Sequence, residues 1–320
     1  MATYFIGTGV ESFVTSPTLV RDDQNGVGVF IDSPPGLGWA DAYLVDPATG
    51  ERTPQASLWL HSVLNTIPLQ GANITFVNAE DISVFRILGT GDFGMCQSQR
   101  FTNGAWVNLG SPVYCRDTVT WDIRLVTHPT AGRVSVNVNG VTLVNLDGID
   151  TASLGSIAKV RFQMGTYGGT VSQTIIASYN TIGHTVRRRA PTSDVRNTGW
   201  TGTYADVDEV INSDDDTINT SVVGAVMTFD GAPLAPVATG NVIKAVAVSA
   251  RLRNDGGEVP RNAGAILTLD GTEYRKAHNF RVGPGFAGSS TVFDTNPATG
   301  KNWGDSIAPV NQPFGIVATE

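Results

Sequence analysis

The sequence is short of the residues that most reaction chemistry draws on. It holds two cysteines and four histidines in 320 residues, and none stands at the spacing of a zinc site or a disulfide framework. Cys96 and Cys115 therefore read as two small apolar residues or as a single bridge. Charge is scarce as well: 16% of residues are charged, and the formal net charge is −8. An acidic chain without clustered Lys and Arg argues against a nucleic-acid surface, because phosphate binding rests on basic side chains. No run approaches the length of about eighteen apolar residues that a membrane span needs, so membrane insertion is not expected. The opening MATYFIGTGVESF has no basic region followed by an apolar core, which predicts synthesis in the cytosol without a signal sequence. Neither a Gly-x-Ser-x-Gly elbow nor the Lys-Ser/Thr pair of a phosphate loop occurs. The carboxylates Glu80-Asp81 and Asp208-Glu209 are adjacent, and adjacent strand residues point to opposite faces, so neither pair fits a glycosidase on a strand. On these grounds the sequence predicts no catalytic residue, no cofactor and no enzymatic activity.

What is present is material for strands and turns, with 36 glycines and 16 prolines among 41% hydrophobic residues. The clearest stretch is a three-strand meander from Thr118 to Asp147. Trp121, Ile123 and Leu125 alternate with Asp122 and Arg124, the period of a half-buried strand. Asn139-Gly140 predicts a two-residue hairpin, since both central positions of that turn need positive φ. Carried straight through, that turn sets Val138 against Val141 and Val136 against Leu143, with Val144 and Leu146 on the other face. Upstream, Ile82, Val84, Arg86 and Leu88 alternate as one face of a strand, and Ser57 to Leu64 reads as a helical turn. Downstream, the apolar run Val242 to Leu252 predicts a central strand covered on both faces. Asp270-Gly271 marks another hairpin. Short strands spaced roughly ten residues apart suggest sandwiches.

The strand Trp121-Asp122-Ile123-Arg124-Leu125, the hairpin Gly132 to Gly140 and the later strand Ile157 to Phe162 resemble the concanavalin-like jelly roll, in its laminin-G-type version. The resemblance implies a jelly roll over the first part; with the length of the chain and the strand pattern, the expectation is an all-β chain of two β-sandwich domains. Residues 1–183 would form the jelly roll, 184–193 a linker, and 194–320 a C-terminal β-sandwich. Members of that family bind sugars or proteins through rim loops, often with calcium, but no Asp/Asn arrangement here maps onto a calcium pattern. The run Arg187-Arg188-Arg189 in the linker reads as a solvated connection, or as a docking patch for an acidic partner. A second resemblance rests on Ser172 to Gly183, Ala190-Pro191, Trp200-Thr201-Gly202, Val207-Asp208-Glu209, Asp215-Asp216-Thr217, and the ending Asn296 to Trp303 with Phe314-Gly315-Ile316. Together these are similar to a two-module protein of tailed bacteriophages. That implies a structural component of a virion surface, such as a head spike, fibre or tail-associated protein. Its partners would be other virion proteins, further copies of itself in a homo-oligomer, and host cell-surface carbohydrate.

Candidate ligand-binding residues are the aromatics Trp39, Trp59, Trp106 and Tyr167, which could stack on a sugar ring and equally could pack in a core or loop. Asp214, Asp215 and Asp216 could hold a cation through carboxylate oxygens or form a solvated acidic turn. The histidines read as surface or loop residues. Three functions are carried forward: a virion structural or adhesion protein, a freestanding carbohydrate-binding module, and a glycan hydrolase.

Overall fold

The computed structural model describes residues 1–16, 20–22, 28–31, 38–65, 73–90, 94–114, 118–151, 155–164, 168–208, 215–254, 260–277 and 283–320. Cys115, Tyr167, Asp214 and His278 fall outside the described residues. By backbone contacts the chain divides into unit 1 (Met1–Leu44 with Arg52–Val186) and unit 2 (Val45–Glu51 with Arg187–Glu320). The chain is all-β: among the described residues the only helical elements are three short 3₁₀ turns.

In unit 1 the strands are β1 (Thr3–Gly7), β2 (Val14–Thr15), β3 (Val20–Asp22), β4 (Val29–Ile31) and β5 (Trp39–Tyr43). There follow β6 (Ser57–Asn65), β7 (Asn73–Asn78), β8 (Ser83–Gly89), β9 (Met95–Thr102) and β10 (Ala105–Tyr114). The last five are β11 (Thr118–Val126), β12 (Gly132–Val138), β13 (Val141–Ile149), β14 (Ile157–Gln163) and β15 (Gly169–Ala177). The first sheet runs β13-β12-β11-β6-β15-β4-β3, with β1 also paired to β15; the second runs β10-β9-β8-β7-β14-β5-β2. One apolar cluster joins the inner faces, with Leu58, Leu60, Trp121, Ile123 and Val136 from the first sheet and Phe76, Phe85, Val160 and Phe162 from the second. This is a jelly-roll sandwich, and the alternation of its strands sends every second side chain away from the core.

The meander and its turn form as the sequence implies: Asn139 and Gly140 have φ of 51° and 79°. The register beyond the turn differs. A β-bulge follows Val136, which stands opposite Val144 rather than Leu143. The pairing of Val138 with Val141 next to the turn is as expected, with Val141 62% exposed; beyond it one extra residue shifts the parity, so Val144 joins the core at 6% exposure. Residues 57–64 are strand β6, not a helical turn. Their apolar side chains sit on both faces, with Leu58 and Leu60 inward and Trp59 and His61 outward, a pattern that blurs the period of two. In β8 the inward residues are Phe85 and Ile87, opposite Phe76 and Ile74. Val84 enters the core only because a bulge lies there, and Arg86 and Leu88 face out.

Unit 2 contains β16 (Pro191–Asn197), β17 (Val226–Gly231), β18 (Val246–Leu252), β19 (Asn262–Leu269), β20 (Thr272–Ala277), β21 (Ala287–Phe293) and β22 (Phe314–Thr319). A five-stranded sheet of order β16-β17-β22-β19-β20 packs with a two-stranded sheet β18-β21 through Leu267, Val248, Phe293 and Trp303. The stretch Val242 to Leu252 is therefore not a central strand: among the described residues β18 pairs with β21 alone. A flat five-stranded sheet would hold its edges roughly 19 Å apart. Yet Arg196 on β16 reaches Glu273 on β20 at 2.5 Å, so the sheet coils until its edges approach.

The arginine run is solvated only in part: Arg187 is exposed, whereas Arg189 is largely buried. Arg187 donates to the Ala235 carbonyl at 2.7 Å. The Arg189 side chain is only 9% exposed and donates to the carbonyls of Val310, Gln312, Gly231 and Ala232 at 2.7–3.1 Å. One planar fork thus ties the end of β17 to the segment that leads into β22. Arg189→Met is expected to destabilise unit 2 by about 1–3 kcal/mol, because part-buried carbonyls lose a charged donor. Amide exchange should report faster opening of β17 and β22 with β11 and β12 unchanged; unaltered protection throughout would show that the tie is dispensable.

Candidate functional site

The second sheet of unit 1 carries one continuous row of polar side chains on its outer face. Pairing places Asp41 opposite Arg161, Arg161 opposite Thr75, Thr75 opposite Arg86, Arg86 opposite Gln99, and Gln99 opposite Asn108. Six residues from six adjacent strands therefore stand abreast. They reach this face because Ala40, Phe76, Phe85, Leu109 and Phe162, their neighbours along the strands, are held in the core.

The two ends of the row differ electrostatically. At the β5 end, Arg161 grips Asp41 with two hydrogen bonds of 2.7 and 2.8 Å, and Lys159 Nζ adds a contact of 2.9 Å. Asp41 is fully buried, and Lys159 also meets Asp81 at 2.6 Å. Asp81 sits at a φ of 64° in the β7–β8 turn. The hydrogen bond from Lys159 holds its carboxyl below the usual range. Burial alone would lower the Lys159 pKa, but its hydrogen bond to Asp81 and the charge of Asp41 outweigh it, and the net shift is upward. Arg161 also lies 4.8 Å over the ring of Trp39, and Arg52 lies 3.6 Å over that of Tyr43. Two cations against two carboxylates close this end.

The β10 end is open. Arg86 donates through Nε to Gln99 Oε1 at 2.7 Å, and Gln99 donates through Nε2 to Asn108 Oδ1 at 2.8 Å. The Arg86 guanidinium lies 4.0 Å over the ring of Trp106, which in turn meets Phe101 edge-on at 5.3 Å. Asn108 is exposed, and Trp106, Arg86 and Gln99 are half-buried. Here aromatic surface, a cation and amide groups converge without a carboxylate among the described residues.

The first sheet carries its own outer row, Ile175–His61–Asp122–Asn137–Thr142. His61 Nδ1 lies 2.8 Å from Asp122 Oδ1, and the Thr142 hydroxyl donates to Asn137 Oδ1 at 2.5 Å. His61, Asp122 and Asn137 are 3%, 2% and 6% exposed. His61 is thus a buried strand residue rather than a surface or loop one. His128 caps its own turn instead, its Nδ1 accepting from the backbone N–H groups of Thr130 and Ala131.

The structure thus brings together Trp106 with Arg86, Gln99 and Asn108, while Trp39 lies at the neutralised end of the same face and Trp59 on the other sheet, 5.6 Å from Arg124. Asp215 and Asp216 are exposed. Among the described residues no group of three or more His, Cys, Asp or Glu is gathered as a metal site. Sequence reading missed Arg86, Gln99, Asn108 and the His61–Asp122 pair. Strand alternation put Arg86 on one face with Ile82, Val84 and Leu88, but nothing local tells whether that face points outward or which strands flank it.

No family model matches the chain, and no curated protein matches it. Solved structures of similar architecture exist. One titled sialidase has a TM-score of 0.37 and 14% identity over 51% of this chain, which spans only 16% of that chain. An endo-1,3-β-glucanase from Streptomyces sioyaensis has a TM-score of 0.37 and 12% identity over 55% of this chain and 88% of its own. The alginate lyase Aly36B, solved with an alginate tetrasaccharide, has a TM-score of 0.36 and 8% identity over 55% of this chain and 97% of its own. Likeness at this level concerns architecture, and the jelly roll it describes occurs in carbohydrate-binding and glycan-active proteins.

The expectation that the chain is not an enzyme is corrected by this set, which contains a lyase, a glucanase and a sialidase. The exclusion rested on missing sequence motifs. Motifs record residues close in the chain, whereas a sheet can set an acid beside a base from strands far apart, as His61 and Asp122 are.

The ion cluster, buried at Asp41 and Lys159 and exposed at Asp81, sets a pH profile. Asp81, whose pKa is lowered on folding, stabilises unit 1 fully above its unfolded value of about 3.9, and that contribution fades as pH falls through the folded value. Lys159, whose pKa is raised, contributes fully below about 10.4 and loses the contribution as pH rises through its folded value. Asp41→Asn strips two cations of their buried counter-charge and is expected to destabilise unit 1 by about 3–5 kcal/mol, read from urea unfolding at pH 7. Asp81→Asn should flatten the acid limb of that profile while leaving the neutral plateau in place.

Proposed function

We propose that unit 1 is a glycan-recognition module whose ligand lies across the outer face of the second sheet. The observation that carries this reading is the cross-strand row ending in Arg86, Gln99 and Asn108 beside Trp106 and Phe101. A pyranose has an apolar C–H face and a rim of hydroxyls. A half-buried indole offers a flat apolar surface for the first, and amides fixed by their neighbours offer directed donors and acceptors for the second. The Gln99–Asn108 hydrogen bond points the Asn108 amide nitrogen away from Gln99, and that nitrogen has no partner among the described residues.

The setting is a separate proposal. The resemblance over roughly residues 115–320 supports a place on the surface of a tailed-phage or phage-like particle, where the module would contact host glycans as part of an oligomer. Mass spectrometry of purified particles from the source that never detects the chain would remove that setting and leave a freestanding carbohydrate-binding module.

Trp106→Ala is expected to weaken binding to the best ligand of a glycan array by about ten-fold or more. Trp59→Ala, on the other sheet, should leave it within about two-fold, by calorimetry on the full chain. Loss of binding in Trp59→Ala with retention in Trp106→Ala would move the site to the first sheet and reject the proposal.

A further inference from the structure

Among the described residues Arg86 is a cation of this face with no carboxylate against it. Lys159 and Arg161 share Asp41 and Asp81, with contacts from 2.6 to 2.9 Å. Arg86 has one hydrogen bond, from Nε to Gln99. Its two Nη groups have no partner among the described residues, and no described carboxylate stands against it. Burial alone pulls its pKa below the ordinary value, with no neighbouring anion to raise it. A half-buried guanidinium in that position is costly unless an anion arrives.

Its geometry is also fixed in advance. The Trp106 ring at 4.0 Å holds the guanidinium plane by cation–π contact, and Gln99 takes the Nε–H. What remains is the outer edge of the fork, two parallel N–H groups at the spacing of a carboxylate's two oxygens. Around that edge lie Asn108, Phe101 and Trp106, which suit a ring bearing hydroxyls more than an extended acidic peptide.

We infer that Arg86 is the carboxylate-binding group of a subsite for acidic saccharides, uronates or sialates, with Trp106 as its platform and Gln99 and Asn108 reading the neighbouring hydroxyls. This rests on the glycan-recognition reading of the same face and adds the class of sugar. The whole chain is negatively charged, at −8, so a local cation is what makes an acidic glycan acceptable here. Binding should weaken with salt, since it joins opposite charges.

The test uses the full chain and paired probes: oligomers of galacturonate, glucuronate and mannuronate, each beside its methyl ester, and sialyllactose beside lactose. Calorimetry should find at least one acid bound about ten-fold or more tighter than its neutral partner. Arg86→Gln should abolish that difference, and Arg86→Lys should recover part of it; an acid-over-neutral ratio unchanged in Arg86→Gln would overturn the assignment to Arg86. Equal or tighter binding of the neutral partners to the unaltered chain would overturn the acidic class and leave glycan recognition standing. Absence of binding to every probe, charged and neutral, would overturn both. Binding of poly-glutamate in place of all saccharides, lost in Arg86→Gln, would also overturn the inference, by assigning the carboxylate to a peptide.

Discussion

Burial of the inner faces is the constraint on which unit 1 depends, because it sets the register of every strand and the register sets the outer rows. Leu58, Leu60, Trp121, Ile123, Val136, Phe76 and Phe162 leave water together in one cluster. In a sheet with a side-chain period of two, a slip of one residue would turn Arg161, Asp41 or Asp122 into that core. Unpaired charge there costs far more than any local gain. The side chains on the far side of each strand therefore have no freedom of position along the sheet. The six-residue row from Asp41 to Asn108 is a consequence of apolar packing on the opposite face.

Given those rows, electrostatics separates them. On the first sheet polar groups are consumed in pairs, His61 with Asp122 and Asn137 with Thr142, and three of these four are almost completely buried. On the second sheet the Asp41 end is saturated by Lys159 and Arg161. Only toward β10 does the sequence of contacts run from cation to amide to amide and stop at an exposed Asn108. The same partial burial that strengthens the Asp41 cluster makes the uncompensated Arg86 expensive. One row thus contains a structural half and a receptive half.

Unit 2 uses its arginines for structure. Arg189 gathers carbonyls from two separated segments, and Arg196 and Arg275 meet Glu273, with Arg196 bridging two edge strands. Glu273 is held below its ordinary pKa first by the hydrogen bond from Arg275, then by Arg196. These contacts explain why a charge run that looks solvated in the sequence is largely taken up by backbone acceptors.

Much of the architecture was legible without coordinates. Alternation in Trp121 to Leu125 and the Asn139-Gly140 and Asp270-Gly271 turns are local: each follows from the pleat of a single strand or the φ preferences of two residues. The misreadings have physical causes of another kind. Residues 57–64 carry apolar groups on both faces, and a bulge after Val136 changes the parity that a straight count assumes. Trp106 could be singled out by its type, but its role depends on Arg86, which a neighbouring strand brings over its ring. His61 and Asp122 are 61 residues apart in the chain, and Asp41 and Arg161 are 120 apart. The sequence alone determined that this chain makes strands, where several turn, and which side chains share a face. Only the tertiary structure decided which strands lie side by side, and hence which charges meet and which is left without a partner. The reason is that pleat and turn are local steric properties, whereas strand order and register are settled by burying all the apolar faces at once.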